Sequence, residues 1–111
     1  MKFKLSSELN GGNLVVNLEG RIGGETSLQV FQEIKTLVTR HEDKNLILDF
    51  RGVDFMDSSG LGSLVAVNST LLRDGRELTL VSIPKNIKEL LRITNLLKIL
   101  KIADTAGDVL K

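Results

Sequence analysis

The most informative segment of this chain is Phe55-Met56-Asp57-Ser58-Ser59-Gly60-Leu61-Gly62. It follows an apolar run at residues 46–50, which predicts a buried strand, and it precedes a pattern that predicts a helix at about residues 59–73. Two serines and two glycines therefore lie where a strand turns into a helix. The first N–H groups of a helix have no partner within the helix, and the helix dipole is positive there. Such a turn can accept a phosphate or present a hydroxyl to another protein.

The composition limits the possible functions. The chain has 111 residues, enough for one domain, and no cysteine, which excludes thiol catalysis and cysteine-based metal sites. A net charge of +1 and four aromatic residues, all Phe, do not favour binding to nucleic acid or to an anionic membrane. The N-terminus lacks the apolar core of a signal peptide, and no apolar run is long enough to span a membrane. We therefore expect a cytoplasmic protein with no nucleic-acid partner, no membrane partner and no metal or other cofactor.

Strand and helix patterns alternate along the chain in the order β-β-α-β-α-β-α-β-α. This order predicts a single α/β domain over residues 1–111, with a mostly parallel sheet and an antiparallel hairpin at the N-terminus. In the first helix, the residues predicted to face the core are Leu28, Phe31, Ile34 and Val38. The predicted strands lie at residues 2–6, 14–18, 46–50, 78–81 and 99–102. The predicted helices lie at residues 25–41 and 59–73, between about Pro84 and Asn95, and at residues 104–110.

The serine turn has more than one interpretation from the residues alone. Asp57 or Ser58 could be simply the N-cap of the following helix, with a side-chain oxygen that accepts a free N–H group. Nucleophilic catalysis by Ser58 would require a nearby base, and the single histidine, His41, lies at the far end of another predicted helix. Asp57 could instead accept a phosphoryl group, as in receiver domains. That chemistry needs a Mg²⁺ site with further acids, and the segment at residues 19–24 supplies only one.

The turn and its surroundings resemble a known family. Residues 56–62, after the strand at residues 46–50, resemble the signature of the STAS domain family of bacterial anti-sigma factor antagonists. Gly20, the helix at residues 28–38, Gly75 before a strand and the segment at residues 87–96 follow in the family's order. The resemblance implies a STAS fold and a regulated binding module that is not an enzyme.

The resemblance also implies a mechanism. Members bind an anti-sigma factor that is often a serine kinase, and this binding frees the sigma factor for transcription. The kinase phosphorylates the serine that corresponds to Ser58, which breaks the complex, and a metal-dependent serine phosphatase restores it. The implied partner contacts around this serine are Met56, Asp57, Ser59, Gly60, Leu61 and Gly62. Two alternatives remain open at this point: a scaffold subunit of a lipid-transport or stress-sensing assembly, and a receiver-like phosphoacceptor domain.

The chain departs from the family pattern at two positions. Members often carry Asp or Glu where this chain has Gly23, and here the nearest acid further on is Glu25. The stop of the third helix usually has Gly where this chain has Asn95. The second change is mild, because Asn tolerates the left-handed backbone conformation.

Overall fold

The computed structural model describes residues 3–110, which form a five-stranded sheet in the order β1-β2-β3-β4-β5 with helices packed against it. β1 is antiparallel to β2, and all other neighbouring strands are parallel. The predicted order of strands and helices is therefore confirmed, although the predictions for Met1, Lys2 and Lys111 lie outside the described residues. The strands are β1 (Phe3–Asn10), β2 (Asn13–Ile22), β3 (Asn45–Met56), β4 (Leu78–Val81) and β5 (Lys101–Ala103). The helices are α1 (Glu25–Arg40), α2 (Ser58–Arg73), α3 (Lys85–Ile93) and α4 (Ala106–Val109), with a 3₁₀ turn at Leu96–Lys98.

Alternate residues of the strands form the main core on one face of the sheet. Because the three central strands are parallel and in register, their apolar side chains meet in rows, such as Leu14 beside Leu46 and Leu46 beside Leu78. Helices α1, α2 and α3 cover this face with Ile34, Leu64, Leu91 and other buried residues. The opposite face has a smaller apolar cluster, covered by the C-terminal segment. Its members are Val15, Ile47 and Val81, with Ala103, Ala106, Val109 and Leu110 packed against them.

The structure confirms Phe31, Ile34 and Val38 on the predicted core face of α1 and corrects one residue. Leu28 was expected to face the core but is 64% exposed, whereas Val30 is fully buried beside Phe31 and Ile34. Leu28 lies three residues before Phe31 and Val30 lies four residues before Ile34, so both fit the helical period. The period alone could not decide which of the two meets the sheet.

The structure also corrects several boundaries. β3 does not end at Phe50 but continues to Met56, because its parallel pairing with β2 extends to Ile22 opposite Met56. The last strand is shorter than predicted, and Ile99 lies before it and is exposed. Pro84 precedes α3 instead of forming its first residue. Asn95 has the predicted left-handed conformation, with φ of 63°.

A buried arginine joins the end of α1 to the sheet. The Arg76 Nη1 atom donates to the carbonyl oxygens of Val38 and His41, both at 3.0 Å, and to that of Lys44 at 3.3 Å. Its Nη2 atom donates to Asp74 Oδ2 at 3.0 Å. Carbonyl groups at a helix end lack partners within the helix, so the guanidinium satisfies them and fixes the path from α1 to β3.

No helix among residues 3–110 combines the length and the apolar character that crossing a lipid bilayer requires.

The corrected face of α1 can be tested by a pair of truncations. We expect Ile34→Ala to lower the free energy of unfolding by about 2–5 kcal/mol, because it removes a fully buried side chain and leaves a cavity. Leu28→Ala should change it by about 0.5 kcal/mol or less, because that side chain is mostly in solvent. Urea denaturation of both variants measures the difference. Equal losses would contradict the orientation of α1.

Candidate functional site

The serine turn connects β3 to α2 through a single residue, Asp57. Its backbone is extended, with φ of −115° and ψ of −172°, and Ser58 begins the helix. The Asp57 Oδ1 atom accepts the backbone N–H groups of Ser59 at 3.0 Å and of Gly60 at 3.2 Å. Asp57 is therefore the N-cap, one of the two residues proposed for that role from the sequence, and it uses two of the free donors at the helix start.

The other carboxylate oxygen of Asp57 holds a distant loop. Its Oδ2 atom accepts the backbone N–H of Gly24 at 3.0 Å, across 33 positions of sequence. Parallel strands end at the same edge of a sheet, so the loop after β2 and the turn after β3 lie side by side. One side chain thus joins two segments that the local sequence pattern does not connect.

The environment of Asp57 favours its charged form. The hydroxyl of Ser59 donates to Oδ1 and is the main cause of the lowered pKa of Asp57. Partial desolvation opposes this shift, and the N–H groups of Gly60, Gly24 and Ser59 add to it. The carboxylate is therefore ionised at neutral pH and engaged on both oxygens.

The two serines of the turn differ in what their hydroxyls do. The Ser59 hydroxyl is held by Asp57, and the Ser59 carbonyl in turn accepts the Ser63 hydroxyl at 3.1 Å. Ser58 is the first residue of α2 and is exposed. Within residues 3–110, no hydrogen bond occupies its hydroxyl. Of the two, only Ser58 presents a hydroxyl that an approaching protein can reach without first breaking a contact.

The structure places the other predicted contact residues in two groups. Ser59 and Gly62 are exposed, and Asp57 is partly exposed. Met56 and Leu61 are 5% and 6% exposed and belong to the main core, and Gly60 is also buried. Three of the six residues expected to contact a partner are therefore buried in the free domain. The reason is the longer β3, which brings Met56 onto the core face, and the position of Leu61 on the stripe of α2 that faces the sheet.

The two glycines of α2 have different surroundings. A Cβ atom at Gly60 would lie 2.8 Å from Met56 Cγ and 3.0 Å from the carbonyl oxygen of Ile22. A Cβ atom at Gly62 would meet nothing within 4 Å. Gly60 therefore allows α2 to approach the ends of β2 and β3, whereas Gly62 leaves an open surface next to Ser58.

The loop after β2 is packed against the serine turn. A Cβ atom at Gly23 would lie 2.7 Å from Phe55 Cε2 and 2.8 Å from Asp57 Oδ2. The Arg21 guanidinium stacks over the Phe55 ring, 4.1 Å from its centroid. The departure from the family pattern at Gly23 thus has a packing reason: an acidic side chain there would collide with the ring and the carboxylate.

The same loop borders an open groove of about 720 Å³. Thr26 fixes the loop from the helix side: its Oγ1 atom accepts the Gly23 N–H at 3.1 Å and donates to the Gly23 carbonyl at 2.6 Å. The groove lies beside Asp57 and is lined by Phe3, Arg21, Gly23, Gly24, Glu25, Thr26, Gln29, Phe55 and Asp57.

The site lacks the arrangement that the catalytic alternatives need. His41 follows the C-terminal end of α1 and therefore lies at the opposite edge of the sheet from Ser58. Among the described residues, no three His, Asp or Glu side chains gather in a way that could hold a metal ion. An acyl phosphate on Asp57 would also turn one of its two carboxylate oxygens into a bridging oxygen, which would weaken either the cap of α2 or the bond to Gly24. The geometry thus argues against the receiver-like alternative.

The mixed sheet and the capped, exposed serine turn define a small α/β domain that displays a hydroxyl at the start of a helix. A family model described as "STAS domain" matches residues 4–109. The chain therefore belongs to the STAS domain family, as its resemblance predicted.

Similar sequences and structures support this family assignment. An anti-sigma F factor antagonist of Paenibacillus polymyxa is 27% identical over 110 residues, which cover 99% of this chain and 94% of that protein. The crystal structure of an anti-sigma factor antagonist from Mycobacterium paratuberculosis has a TM-score of 0.88 and 25% identity, and the match covers 98% of this chain and 92% of that one. The phosphorylated form of the Bacillus cell fate determinant SpoIIAA is similar in fold, with a TM-score of 0.72, 20% identity and 96% coverage of each chain.

The contrast between the two glycines gives a matched test. We expect Gly60→Ala to destabilise the domain by about 1–3 kcal/mol, because the added methyl group presses on Met56 and on backbone that cannot easily move. Gly62→Ala should stabilise it by about 0.5–1 kcal/mol, because alanine is the better helix former and the site is open. Thermal or urea unfolding of the two variants provides the measurement. If both variants gained stability, the close contact at Gly60 would be refuted.

The role of Asp57 gives a pH-dependent prediction. We expect Asp57→Ala to cost about 0.5–2 kcal/mol of unfolding free energy at pH 7, the usual cost of losing an N-cap. Because the folded-state pKa is lowered, this contribution is complete well above the ordinary Asp pKa of about 3.9 and is lost as the pH falls through the folded-state value. Unfolding free energies measured between pH 7 and pH 2 should therefore converge for the wild type and the variant.

Asp54→Ala provides the control for this pH series. Asp54 is exposed. The side chain of Asn86 donates to the backbone carbonyl of Asp54 and not to its carboxylate, so the substitution leaves this hydrogen bond in place. A gap between wild type and Asp57→Ala that stayed constant down to pH 2 would show that the carboxylate charge does not contribute.

Proposed function

We propose that this chain is an anti-sigma factor antagonist that binds an anti-sigma factor with serine kinase activity, and that phosphorylation of Ser58 switches this binding off. The observation that carries the proposal is the difference between the two serines: Ser58 is exposed at the start of α2, while the Ser59 hydroxyl is held by Asp57. Membership of the STAS domain family and the names of the relatives support the choice of partner. This role is regulatory instead of catalytic, and it would be carried out in the cytoplasm.

The modification has a simple chemical form. The kinase would transfer the γ-phosphoryl group of ATP to the Oγ atom of Ser58, releasing ADP and the hydroxyl proton. A serine phosphatase would hydrolyse the ester with water, releasing inorganic phosphate and restoring the hydroxyl. The domain itself needs to contribute only an accessible acceptor in a fixed position.

The proposed switch rests on charge. A phosphoserine adds about −1.5 to −2 charges and three strong acceptor oxygens. At position 58 this charge would lie next to the ionised Asp57, at a surface that has to lose its water when a partner docks. The N–H groups of Ser59 and Gly60 already donate to Asp57, so they are not free to neutralise it. A change of about 1.4 kcal/mol in binding free energy alters the affinity tenfold, so a few kcal/mol suffice for a switch.

The proposed docking surface consists of the exposed part of the turn and of α2. Ser58, Ser59 and Gly62 are exposed, and Ser63 and Val67 are partly exposed further along the helix. Asp57 contributes its partly exposed carboxylate. The buried residues of the turn, Met56, Gly60 and Leu61, would support this surface from beneath.

Phosphorylation mapping tests the acceptor. Each anti-sigma factor kinase of the organism that encodes this chain is incubated with ATP and with the wild type, Ser58→Ala or Ser59→Ala, and the modified peptides are mapped by mass spectrometry. We expect phosphate on Ser58 in the wild type and in Ser59→Ala, and none in Ser58→Ala, because the Ser59 hydroxyl is held by Asp57 whereas the Ser58 hydroxyl is exposed. A phosphate on Ser59 in the wild type would contradict the proposed site.

Affinity measurements with the same kinase test the switch. Ser58→Ala should bind like the wild type, whereas Ser58→Asp or the phosphorylated protein should bind at least about tenfold more weakly. Equal affinity of all forms would reject phosphorylation as the switch. A pull-down that yields a transporter or a stress-sensing assembly, and no anti-sigma factor, would support the scaffold alternative in its place.

A further inference from the structure

Asp57 has two separate tasks, one on each carboxylate oxygen. Oδ1 receives three donors, all from residues 59 and 60, and therefore orders the start of α2. Oδ2 receives one donor, the N–H of Gly24, and therefore holds the loop after β2. The bond to Gly24 is the only one of the four that Oδ2 accepts, so it can be lost without removing the cap of α2.

The loop around Gly24 depends on this bond for its position. Gly24 has φ of 55° and ψ of −129°, a backbone conformation that other residues rarely adopt, and no side chain caps α1 there. Gly23 is wedged against Phe55 and Asp57 and bonded on its other side to Thr26. A loop with these constraints has one defined arrangement, and the Asp57 carboxylate is part of what defines it.

A phosphate on Ser58 would act directly on Asp57. The two groups are adjacent in sequence at the start of one helix, so their negative charges repel. They would also compete for the same donors, the N–H and hydroxyl of Ser59. Of the bonds that the Asp57 carboxylate accepts, the one from Gly24 is the only bond to Oδ2, whereas three donors share Oδ1.

We propose that Asp57 is a positioning residue that transmits the phosphorylation state of Ser58 to the loop formed by Gly23, Gly24 and Glu25, and that this loop is a second part of the anti-sigma docking surface. The inference rests on the proposed function for its partner, but the coupling between Ser58 and the loop is a property of the free domain. Phosphorylation thereby changes two parts of the surface: it adds charge at Ser58 and it releases the loop beside it.

The coupling is tested in the isolated domain without any partner. Phosphoserine is introduced at position 58 during translation, and the Gly24 amide is followed by NMR chemical shift and hydrogen exchange. We expect phosphoserine to shift the Gly24 resonance and to raise its exchange rate at least about threefold, because the Gly24 N–H donates to a single acceptor, Asp57 Oδ2. In Asp57→Asn the amide should exchange rapidly from the start and should not respond to phosphoserine.

Two further variants keep this test decisive. In Asp57→Asn, the asparagine can still cap α2 through its carbonyl oxygen, but it has no second oxygen for Gly24. If Asp57→Asn does not fold, Asp57→Ser takes its place, because serine is a good N-cap with a short side chain. Thr105→Ala removes the cap of a different helix, α4, and should leave the response of Gly24 unchanged. The coupling is overturned if phosphoserine leaves the chemical shift and the exchange rate of the Gly24 amide unchanged in the wild type. It is also overturned if the Gly24 amide responds equally in Asp57→Asn.

The role of the loop in docking is tested with two glycines that share a positive φ. Gly24 and Gly11 have φ of 55° and 60°, and a Cβ atom at either would meet nothing within 4 Å. Gly24→Ala and Gly11→Ala therefore both place a side chain on a backbone of positive φ without a steric clash, but Gly11 lies in the hairpin at the opposite edge of the sheet. We expect Gly24→Ala to lower the affinity for the kinase that modifies Ser58 at least about tenfold, and Gly11→Ala to leave it unchanged.

The outcomes separate the two proposals. Equal affinity of Gly24→Ala and Gly11→Ala would reject the loop as a docking element while leaving the antagonist function intact. If the wild type binds no anti-sigma factor at all, the proposed function fails and the docking role of the loop fails with it. The NMR measurement still decides whether Asp57 couples the loop to Ser58.

Discussion

The site depends on the parallel pairing of β2 with β3 as far as Ile22 opposite Met56. This pairing brings the loop after β2 and the turn after β3 to the same place at one edge of the sheet. It also sets Met56 on the core face, so that the next residue, Asp57, emerges at the rim with its carboxylate between the two segments. The bond between Asp57 and Gly24 follows from where these two strands end, whereas the cap of α2 is a local contact within the turn.

The general architecture could be predicted from local patterns, because each element is encoded by its own residues. The apolar runs at residues 46–50 and 78–81 and the turn at Gly11 are short-range signals, and the alternation of strands and helices restricts the sheet to few topologies. The position of the serine turn followed in the same way. Its cap could be narrowed to Asp57 or Ser58, because capping is a local interaction.

The remaining features arise from contacts between residues that are distant in sequence. The extension of β3 to Met56 depends on its partner β2, and the choice of Val30 over Leu28 as a core residue depends on how α1 meets the sheet. The bond between Asp57 and Gly24 spans 33 positions, and Arg76 reaches carbonyl groups up to 38 positions away. The sequence contained a signal for only one of these contacts, the glycine at position 23 where the family often has an acidic residue. The structure explains this glycine, because Phe55 and Asp57 leave no room for a side chain there.

The arrangement separates stability from signalling within a few residues. Met56, Gly60 and Leu61 hold the turn from inside, while Ser58 projects outward from the first position of α2. The buried Arg76 fixes the end of α1 at the opposite edge of the sheet. Under the proposed coupling, a charge added to Ser58 would act on the surface and on the bond between Asp57 and Gly24, and it would leave the core contacts in place. This is the condition that a reversible switch requires, because the modified domain has to remain folded until the modification is removed.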